Sequence, residues 1–291
     1  MWVEERIGVF DVLNYTFLVL AGISFLYPIL MTIALSLSDP VQLSHKSIGI
    51  WPIGFSLDSY KLLLSDGKIL RYYWNTILYA VSGTLLMLLF TSLMAYPLTF
   101  RDFRGRTLIT ILLTITMFLS GGLVPFYLVV LKLGLVDTIW ALILPPAIIA
   151  WYVILFRTFF STIPGSLRES AHMDGAGHFA VLFRIILPLS KPLLATFTLF
   201  AVVRFWNDFF YPMIFLRSDE KYPVQLFLRR VLVLVDYQDV EDSIFLEVFS
   251  NISSRTIKGA AVMITITPVL CVYPFLQKYF TKGIMVGALK A

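Results

Sequence analysis

The chain has little charge and few of the residues that form metal or redox sites. Of its 291 residues, 14% are charged, one is a cysteine (Cys271) and three are histidines. A lone cysteine excludes an intrachain disulfide, and three dispersed histidines do not indicate a metal site. No G-x-x-x-x-G-K-[ST] sequence occurs, so the chain shows no sign of binding ATP. No low-complexity tract or flexible linker divides it, and we expect a single domain over residues 1–291.

Hydrophobic residues are abundant instead, at 58% of the chain, with a mean hydropathy of +0.84. This composition is typical of a membrane protein. A bilayer core of about 30 Å requires roughly 20 apolar residues per helix, and six stretches meet this requirement. The fourth contains Pro145 and Pro146, which predict a kinked helix. The six predicted spans are residues 12–37, 76–98, 107–131, 138–156, 193–216 and 259–276.

The distribution of basic residues predicts the orientation of these spans. An even number of spans places both termini on the same side of the membrane. The short loop after the second span carries Arg101, Arg104 and Arg106, whereas most acidic residues lie in the long segments 38–75 and 217–258. Short loops rich in arginine stay in the cytoplasm, while long loops count little. We therefore expect a multi-pass protein of the cytoplasmic (inner) membrane with both termini in the cytoplasm.

A polar stretch between the fourth and fifth spans interrupts the apolar pattern. Ser166 and Glu169 have the spacing of a capping box, which predicts the start of a short helix. Gly175 and Gly177 allow a left-handed backbone that ends the helix, and Pro188 breaks helical continuity before the fifth span. From the residues alone, an amphipathic elbow that joins two spans and a docking element are both compatible with this stretch.

The same stretch resembles the "EAA" loop of the permease subunits of ABC importers. From Glu169 to Pro188 it fits the pattern E-x-A, three residues, G, nine residues, I-x-L-P. In that family the loop is a cytoplasmic coupling helix that docks on an ATPase subunit, and it corresponds here to residues 164–188. Ser170 stands where the family usually has an alanine. The residues that the resemblance implies for ATPase coupling are Glu169, Ser170, Ala171, Asp174, Gly175, Leu187 and Pro188.

The resemblance extends over nearly the whole chain. "AYPLTFRDFRGR", "GGLVPFYLVVLKLGLVDTIWALILP" and "RFWNDFFYP" are similar to carbohydrate importers of the maltose-permease type, especially those that import pectic or alginate fragments. The resemblance implies an all-α, six-helix type I ABC importer permease fold that moves oligosaccharides by alternating access. It also implies a second permease, two ATPase subunits that bind ATP and Mg, and an extracytoplasmic solute-binding protein. No cofactor is expected in this chain.

The stretch "VVRFWNDFFYP" predicts the translocation pathway. Arg204 and Asp208 are four residues apart, so they would share one face of a helix and pair. Ionisable residues inside a membrane face a protein interior or a wet cavity, and a pair that locks two helices is the alternative. Trp206, Asn207 and Tyr211 add the aromatic and hydrogen-bonding groups that bind sugars.

Further along, "PVQLFLRRVLVLV" predicts a surface helix in the second long loop. By the resemblance this loop meets the binding protein, and the terminal "KGIMVGALKA" reaches between the ATPases.

Two other classes of protein compete with this interpretation. An ion-coupled secondary transporter is expected to show inverted repeats and acids at the midplane of the bilayer, but no repeat is evident and Asp208 is the only clear acid within a span. An intramembrane enzyme requires a paired acid, a Ser/His set or metal ligands at membrane depth. The sequence contains none of these, so no catalytic residue and no metal site are predicted.

Overall fold

The computed structural model describes residues 8–43, 46–65, 67–236 and 255–271, in which helices are joined by turns and loops and no strand occurs. The helices vary from 3 to 28 residues because prolines, glycines and polar breaks divide the apolar stretches. They are α1 Val9–Ser36, α2 Pro40–Leu43, α3 Asp58–Ser65, α4 Lys68–Ala95, α5 Arg106–Phe118, α6 Leu123–Lys132, α7 Trp140–Ile143, α8 Ala150–Ser161, α9 Gly165–Met173, α10 His178–Val181, α11 Leu187–Leu189, α12 Lys191–Asn207, α13 Phe210–Phe215, α14 Val224–Asp236 and α15 255–271.

Two described helices are long and apolar enough to cross a bilayer unaided: α1, and α4 with the turn after it, Lys68–Thr99. Two further pairs qualify if each bent pair counts as one span, which gives up to four among the described residues. Trp140–Ala147 and Ala150–Ser161 meet at 47°, and His178–Leu189 and Lys191–Asn207 meet at 83°. The kink predicted at Pro145 and Pro146 is confirmed. The sixth predicted span, 259–276, overlaps α15, and its last residues lie outside the described part.

The third predicted span, 107–131, is not one continuous helix. α5 ends at Phe118 and α6 begins at Leu123. Between them Gly122 has a φ of +81°, a backbone conformation that glycine adopts without a side-chain penalty. The break follows from the glycine pair at this point, which the apolar pattern alone did not show.

Contacts divide the chain into two compact units. The first takes its described residues from Met1–Ile69 and Leu228–Val269, and the second from Leu70–Phe227 and Leu270–Ala291. The single domain expected over residues 1–291 stays a prediction.

In the first unit the end of α1 packs closely against α15. The Tyr60 hydroxyl donates a hydrogen bond to Ser36 Oγ (2.8 Å), and Ser59 Oγ donates one to Thr256 Oγ1 (3.0 Å). Gly259 allows the close approach, because a Cβ at that position would lie 3.0 Å from the Ser36 amide nitrogen. The rest of α1 is largely exposed, as expected for a helix that meets lipid or another subunit.

In the second unit two hydrophobic clusters hold the helices together. One is centred on Met87, Phe205 and Phe215, and the other on Phe156, Phe160 and Ile186. α14, the helix predicted over "PVQLFLRRVLVLV", is confirmed as a helix. It is more than a surface element, because Val224 and Leu226 at its start are buried in the first cluster. Residues 237–254 of the same long loop and the terminal segment 282–291 lie outside the described residues.

Candidate coupling helix and transport cavity

Helix α9 begins where the sequence predicts, but it is not capped as predicted. It starts at Gly165 with Pro164 at the N-cap, and no side chain caps it. Ser166 lies inside the first turn instead of at the N-cap, so its hydroxyl does not occupy the position that a capping box requires. The capping-box interpretation of Ser166 and Glu169 was therefore wrong, although the start of the helix was right to within one residue.

The C-terminus of α9 is a Schellman motif built on Gly175. Its φ is +83°, and its amide donates to the carbonyl of His172 (3.0 Å). The amide of Ala176 donates to the carbonyl of Ala171 (2.9 Å), which completes the pattern. The prediction for Gly175 is thus confirmed. Gly177 is different, because its φ of −74° is accessible to any residue.

Side chains fasten α9 to the turn that follows α4. The Arg168 guanidinium lies over the Phe100 ring, 5.1 Å from its centroid, and donates to Thr99 Oγ1 (3.1 Å). The His178 ring meets the Phe100 ring edge-on at 5.5 Å. A nine-residue helix is unstable alone, so these contacts fix its position. The predicted docking element is therefore a helix that is braced against the rest of the chain, and its docking role stays a prediction.

Several side chains of α9 are exposed in the described part of the chain. Met173 is 88% exposed and Leu167 is also exposed, although both are apolar. Glu169 makes no hydrogen bond or ion pair with any described residue. Of the predicted coupling residues, Glu169, Ser170, Asp174, Gly175 and Pro188 are exposed, and Ala171 and Leu187 are half-buried.

The chain returns from this helix through a wide turn. Residues Leu182–Ile186 form a π-helix directly before Pro188. A proline has no amide to donate and its ring collides with the carbonyl four residues earlier, so a wider turn relieves the contact. The following helix α12 starts after Ser190, and Pro192 lies in its first turn, where prolines are well tolerated.

The predicted pair of Arg204 and Asp208 does not lie on one helix. α12 ends at Asn207, and Asp208 has an extended backbone with ψ of 116°. Its Oδ1 accepts hydrogen bonds from the amides of Phe210 (3.1 Å) and Tyr211 (3.3 Å), so it caps α13. No ion pair within 4.0 Å joins these two described residues. The prediction of a shared helical face was wrong because an aspartate before a short apolar run caps a new helix.

Three helix breaks converge on one cavity of about 550 Å³. Thr116 precedes the break after α5, Pro145 and Pro146 form the second, and Arg204 and Tyr211 lie on either side of the third. Non-helical backbone at membrane depth is tolerated where it is buried in protein or lines a cavity. Of the lining residues, all of them described, Arg204 alone is charged.

The structure brings only part of the predicted pathway set together. Arg204 and Tyr211 line the cavity, and Tyr211 packs edge-on against Phe126 at 5.8 Å. Trp206 packs near Tyr73 instead, with ring centroids 6.3 Å apart. Asn207 donates to the carbonyl of Val203 (3.0 Å) and accepts from Gln225 (3.3 Å).

Two features of the second unit were missed from the sequence. The first is a clasp around Asp137, whose carboxylate accepts hydrogen bonds from Lys221 Nζ (2.8 Å), Ser218 Oγ (2.6 Å) and the amides of Arg217 and Ser218. Partial burial raises the pKa of Asp137, but these hydrogen bonds outweigh it and hold the pKa well below its usual range. Asp137 lies in the turn that follows Gly134 and has a positive φ of 59°.

The second missed feature is the contact of Gly83 in α4 with Phe205 in α12. A Cβ on Gly83 would lie 2.3 Å from the tip of the Phe205 ring. Phe205 directly follows Arg204, so this contact fixes the rotation of the helix that carries the charged residue of the cavity. A single glycine within an apolar run is the only sequence signal for it.

These features define the chain as a polytopic membrane protein with a braced, exposed polar helix and a cavity at broken helices. Residues 86–286 match the family model described as the binding-protein-dependent transport system inner membrane component. The chain belongs to this family.

Similar proteins agree with this assignment. The chain is 43% identical to protein LplC of Bacillus subtilis (strain 168), over 97% of this chain and 95% of that protein. It is 39% identical to the polygalacturonan/rhamnogalacturonan transport system permease protein YtcP of the same organism, over 97% and 98%. A crystal structure of a bacterial ABC transporter involved in the import of the acidic polysaccharide alginate contains a similar chain, with 32% identity and a TM-score of 0.86 over 96% of this chain and 99% of that one.

The resemblance to ABC importer permeases is thereby confirmed, and the chain is a permease subunit of a binding-protein-dependent importer. An ion-coupled secondary transporter is not favoured. The family is a membrane component of transport systems and not a catalytic family.

Proposed function

We propose that this chain is one of two transmembrane subunits of an ABC importer that carries acidic oligosaccharides into the cytoplasm. Six spans would place both termini and α9 in the cytoplasm. A second permease, two ATPase subunits with bound ATP and Mg, and an extracytoplasmic solute-binding protein would complete the assembly. ATP hydrolysis would occur in the partner subunits alone. Closure of the ATPases would move α9 and thereby switch the cavity between outward and inward access.

The braced, exposed face of α9 is the observation that supports the coupling role. The helix is fixed to the protein through Arg168 and its Schellman motif, while Glu169 and Met173 point away without a partner among the described residues. A helix that is rigidly held on one side and free on the other can transmit a displacement. Exposed Leu167 and Met173 supply the apolar surface that a docked helix would bury in a groove.

The cavity supports the choice of an acidic substrate. A guanidinium such as that of Arg204 binds carboxylates in a bidentate fashion. No carboxylate lies within 4.0 Å of it in the described chain, so its guanidinium makes no ion pair there. Tyr211 and Trp151 line the same space and offer aromatic surface for a sugar ring. Polygalacturonan and alginate, named for the relatives above, are both acidic polysaccharides.

Reconstitution of the complete complex tests both parts of the proposal. Oligogalacturonates or alginate fragments with the binding protein are expected to stimulate ATPase activity, and neutral oligosaccharides of the same length are not. Glu169→Lys is expected to leave the chain in the membrane but to uncouple transport from hydrolysis. Asp102→Lys is the matched control, because Asp102 is exposed and its side chain makes no hydrogen bond or ion pair with a described residue. Normal uptake in Glu169→Lys would remove the coupling assignment, and equal stimulation by neutral sugars would remove the substrate assignment.

A further inference from the structure

Four buried hydroxyl groups in the second half of α4 and directly after it have no hydrogen-bond partner in the described chain. They belong to Thr84, Thr91, Ser92 and Tyr96, which are at most 5% exposed. Only one other buried side-chain atom of the described residues, the indole nitrogen of Trp206, also lacks a partner. Buried polar groups in proteins are almost always bonded to protein or to ordered water, so this concentration in one helix requires an explanation.

The hydroxyls of Thr84, Thr91 and Ser92 are turned away from the bond that their own helix offers. A serine or threonine inside a helix can donate to the carbonyl four residues earlier. Thr76 of α4 makes this bond (2.8 Å), and Thr198 of α12 makes it too (2.7 Å). The three buried hydroxyls do not. Their oxygens therefore point into the packed interior.

Thr84 and Thr91 lie on the same face of α4. They are seven residues apart, which is about two helical turns. Met87 lies between them, three residues after Thr84 and four before Thr91, and it is 0% exposed. Helix α12 contacts α4 at the neighbouring Gly83, through the ring of Phe205. The unpartnered threonine hydroxyls therefore lie on the buried face of α4, close to the point where α12 packs on it.

The chemistry of this region favours water as the missing partner. The hydroxyl oxygens are enclosed by this chain, so a partner subunit or a lipid does not reach them. Residues 84–92 include no charged side chain, so a small neutral ligand fits better than an ion. Buried waters typically make about three hydrogen bonds to otherwise unsatisfied polar groups. The carbonyl one turn before each threonine has a second lone pair, so a hydroxyl and a carbonyl give each water two partners.

We propose that ordered water molecules bind inside the protein at Thr84, Thr91 and Ser92. Each water would accept a hydrogen bond from a hydroxyl and donate one to a backbone carbonyl of α4. Water exchanges its hydrogen-bond partners readily, so these sites would let α12, which carries Arg204, shift against α4 without the loss of direct bonds. The water sites depend only on the packing of this chain, whereas their use in the movement of α12 rests on the proposed transport function.

Radiolytic labelling of the purified, intact transporter tests the water sites. A short X-ray pulse converts a bound water into a hydroxyl radical, which oxidises the side chain next to it. Met87 is expected to be oxidised although it is buried, and several-fold less in the Thr84→Val/Thr91→Val variant, which keeps the shape of both side chains and removes both hydroxyls. Thr198→Val is the matched control, because that hydroxyl is bonded within its own helix, and it is expected to leave Met87 labelling unchanged.

Two outcomes would overturn the water sites. Met87 labelling that persists in the double variant would show that the radicals come from bulk solvent. No Met87 labelling in the wild type, together with a higher Tm in the double variant, would show that the hydroxyls stay without partners. Each single variant provides the same comparison where the double variant does not assemble. Uptake by the reconstituted complex tests the movement separately: the double variant is expected to be several-fold slower, and unchanged uptake beside an active wild type would remove that role.

Discussion

Replacement of Gly83 by alanine is expected to change the stability of the protein through two opposing effects, helix propensity and steric overlap with Phe205. In a helix interior alanine is favoured over glycine by about 1 kcal/mol. At Gly83, however, the new Cβ would lie 2.3 Å from Phe205 Cζ and 2.6 Å from Cε1 and Cε2. Real Cβ atoms do not approach other atoms so closely, so the ring or the helix must move. Phe205 is only 6% exposed, which leaves its ring little space to retreat.

Overpacking of a buried site costs about 1–3 kcal/mol, so it outweighs the gain in helix propensity. We expect Gly83→Ala to destabilise the protein by up to about 2 kcal/mol, which corresponds to roughly 2–4 °C in Tm for each kcal/mol. Phe205→Leu removes the colliding ring atoms. In that background the same Gly83→Ala change is expected to be neutral or stabilising, because only the propensity term remains.

Thermal unfolding of the purified transporter measures both changes. Gly22→Ala is the matched control, because Gly22 is also inside an apolar helix but has no atom within 4 Å of a Cβ position. It is expected to leave Tm unchanged or to raise it. If Gly83→Ala destabilises equally in the wild-type and Phe205→Leu backgrounds, the contact does not determine the packing of α12, and the reasoning fails.

Three other outcomes follow from the described contacts. Asp137→Asn is expected to lower the free energy of unfolding by about 1–2 kcal/mol. This value is kept small because the Lys221 side chain is 43% exposed, so solvent screens its ion pair with Asp137. The pKa of Asp137 in the folded protein lies below its unfolded value of about 3.9, so the carboxylate is charged in both states above about pH 6. The decrease in Tm caused by Asp137→Asn is therefore expected to be equal at about pH 6 and pH 8 and to become smaller only below about pH 4. Arg204→Gln is expected to raise the KM for uronate oligosaccharides about tenfold or more in uptake assays, with normal complex assembly. Gly175→Ala is expected to cost about 1–2 kcal/mol of thermal stability because of its positive φ, whereas Gly177→Ala is neutral.

Sequence reasoning succeeded where local chemistry dominates. The start of α9, its end at Gly175 and the bend at Pro145 and Pro146 depend on residues within a few positions of each other. The family was visible for the same reason, because the pattern from Glu169 to Pro188 is contiguous. Helix propensity and turn chemistry act over one or two turns, so a sequence displays them directly.

Features that depend on residues far apart in the sequence could not be predicted from it. Asp208 could extend α12 or cap α13, and the period of the pattern does not distinguish the two. The Asp137 clasp joins residues 80 to 84 positions apart, and the contact of Gly83 with Phe205 joins two helices that are still further apart in the sequence. The cavity is likewise formed by breaks in separate helices, so its lining could not be read from any one of them.

Site-specific cross-linking tests most directly whether α9 docks on an ATPase. Met173 on α9 and Phe118 at the end of α5 are 88% and 80% exposed, and Cys271 is the chain's only cysteine. In a Cys271→Ser background, Met173→Cys is expected to cross-link to a cysteine in the groove of the ATPase subunit, with a yield that changes between the ATP-bound and nucleotide-free states. Phe118→Cys is expected to give no such product. Absence of the Met173→Cys product from an assembled, active complex would contradict the coupling mechanism.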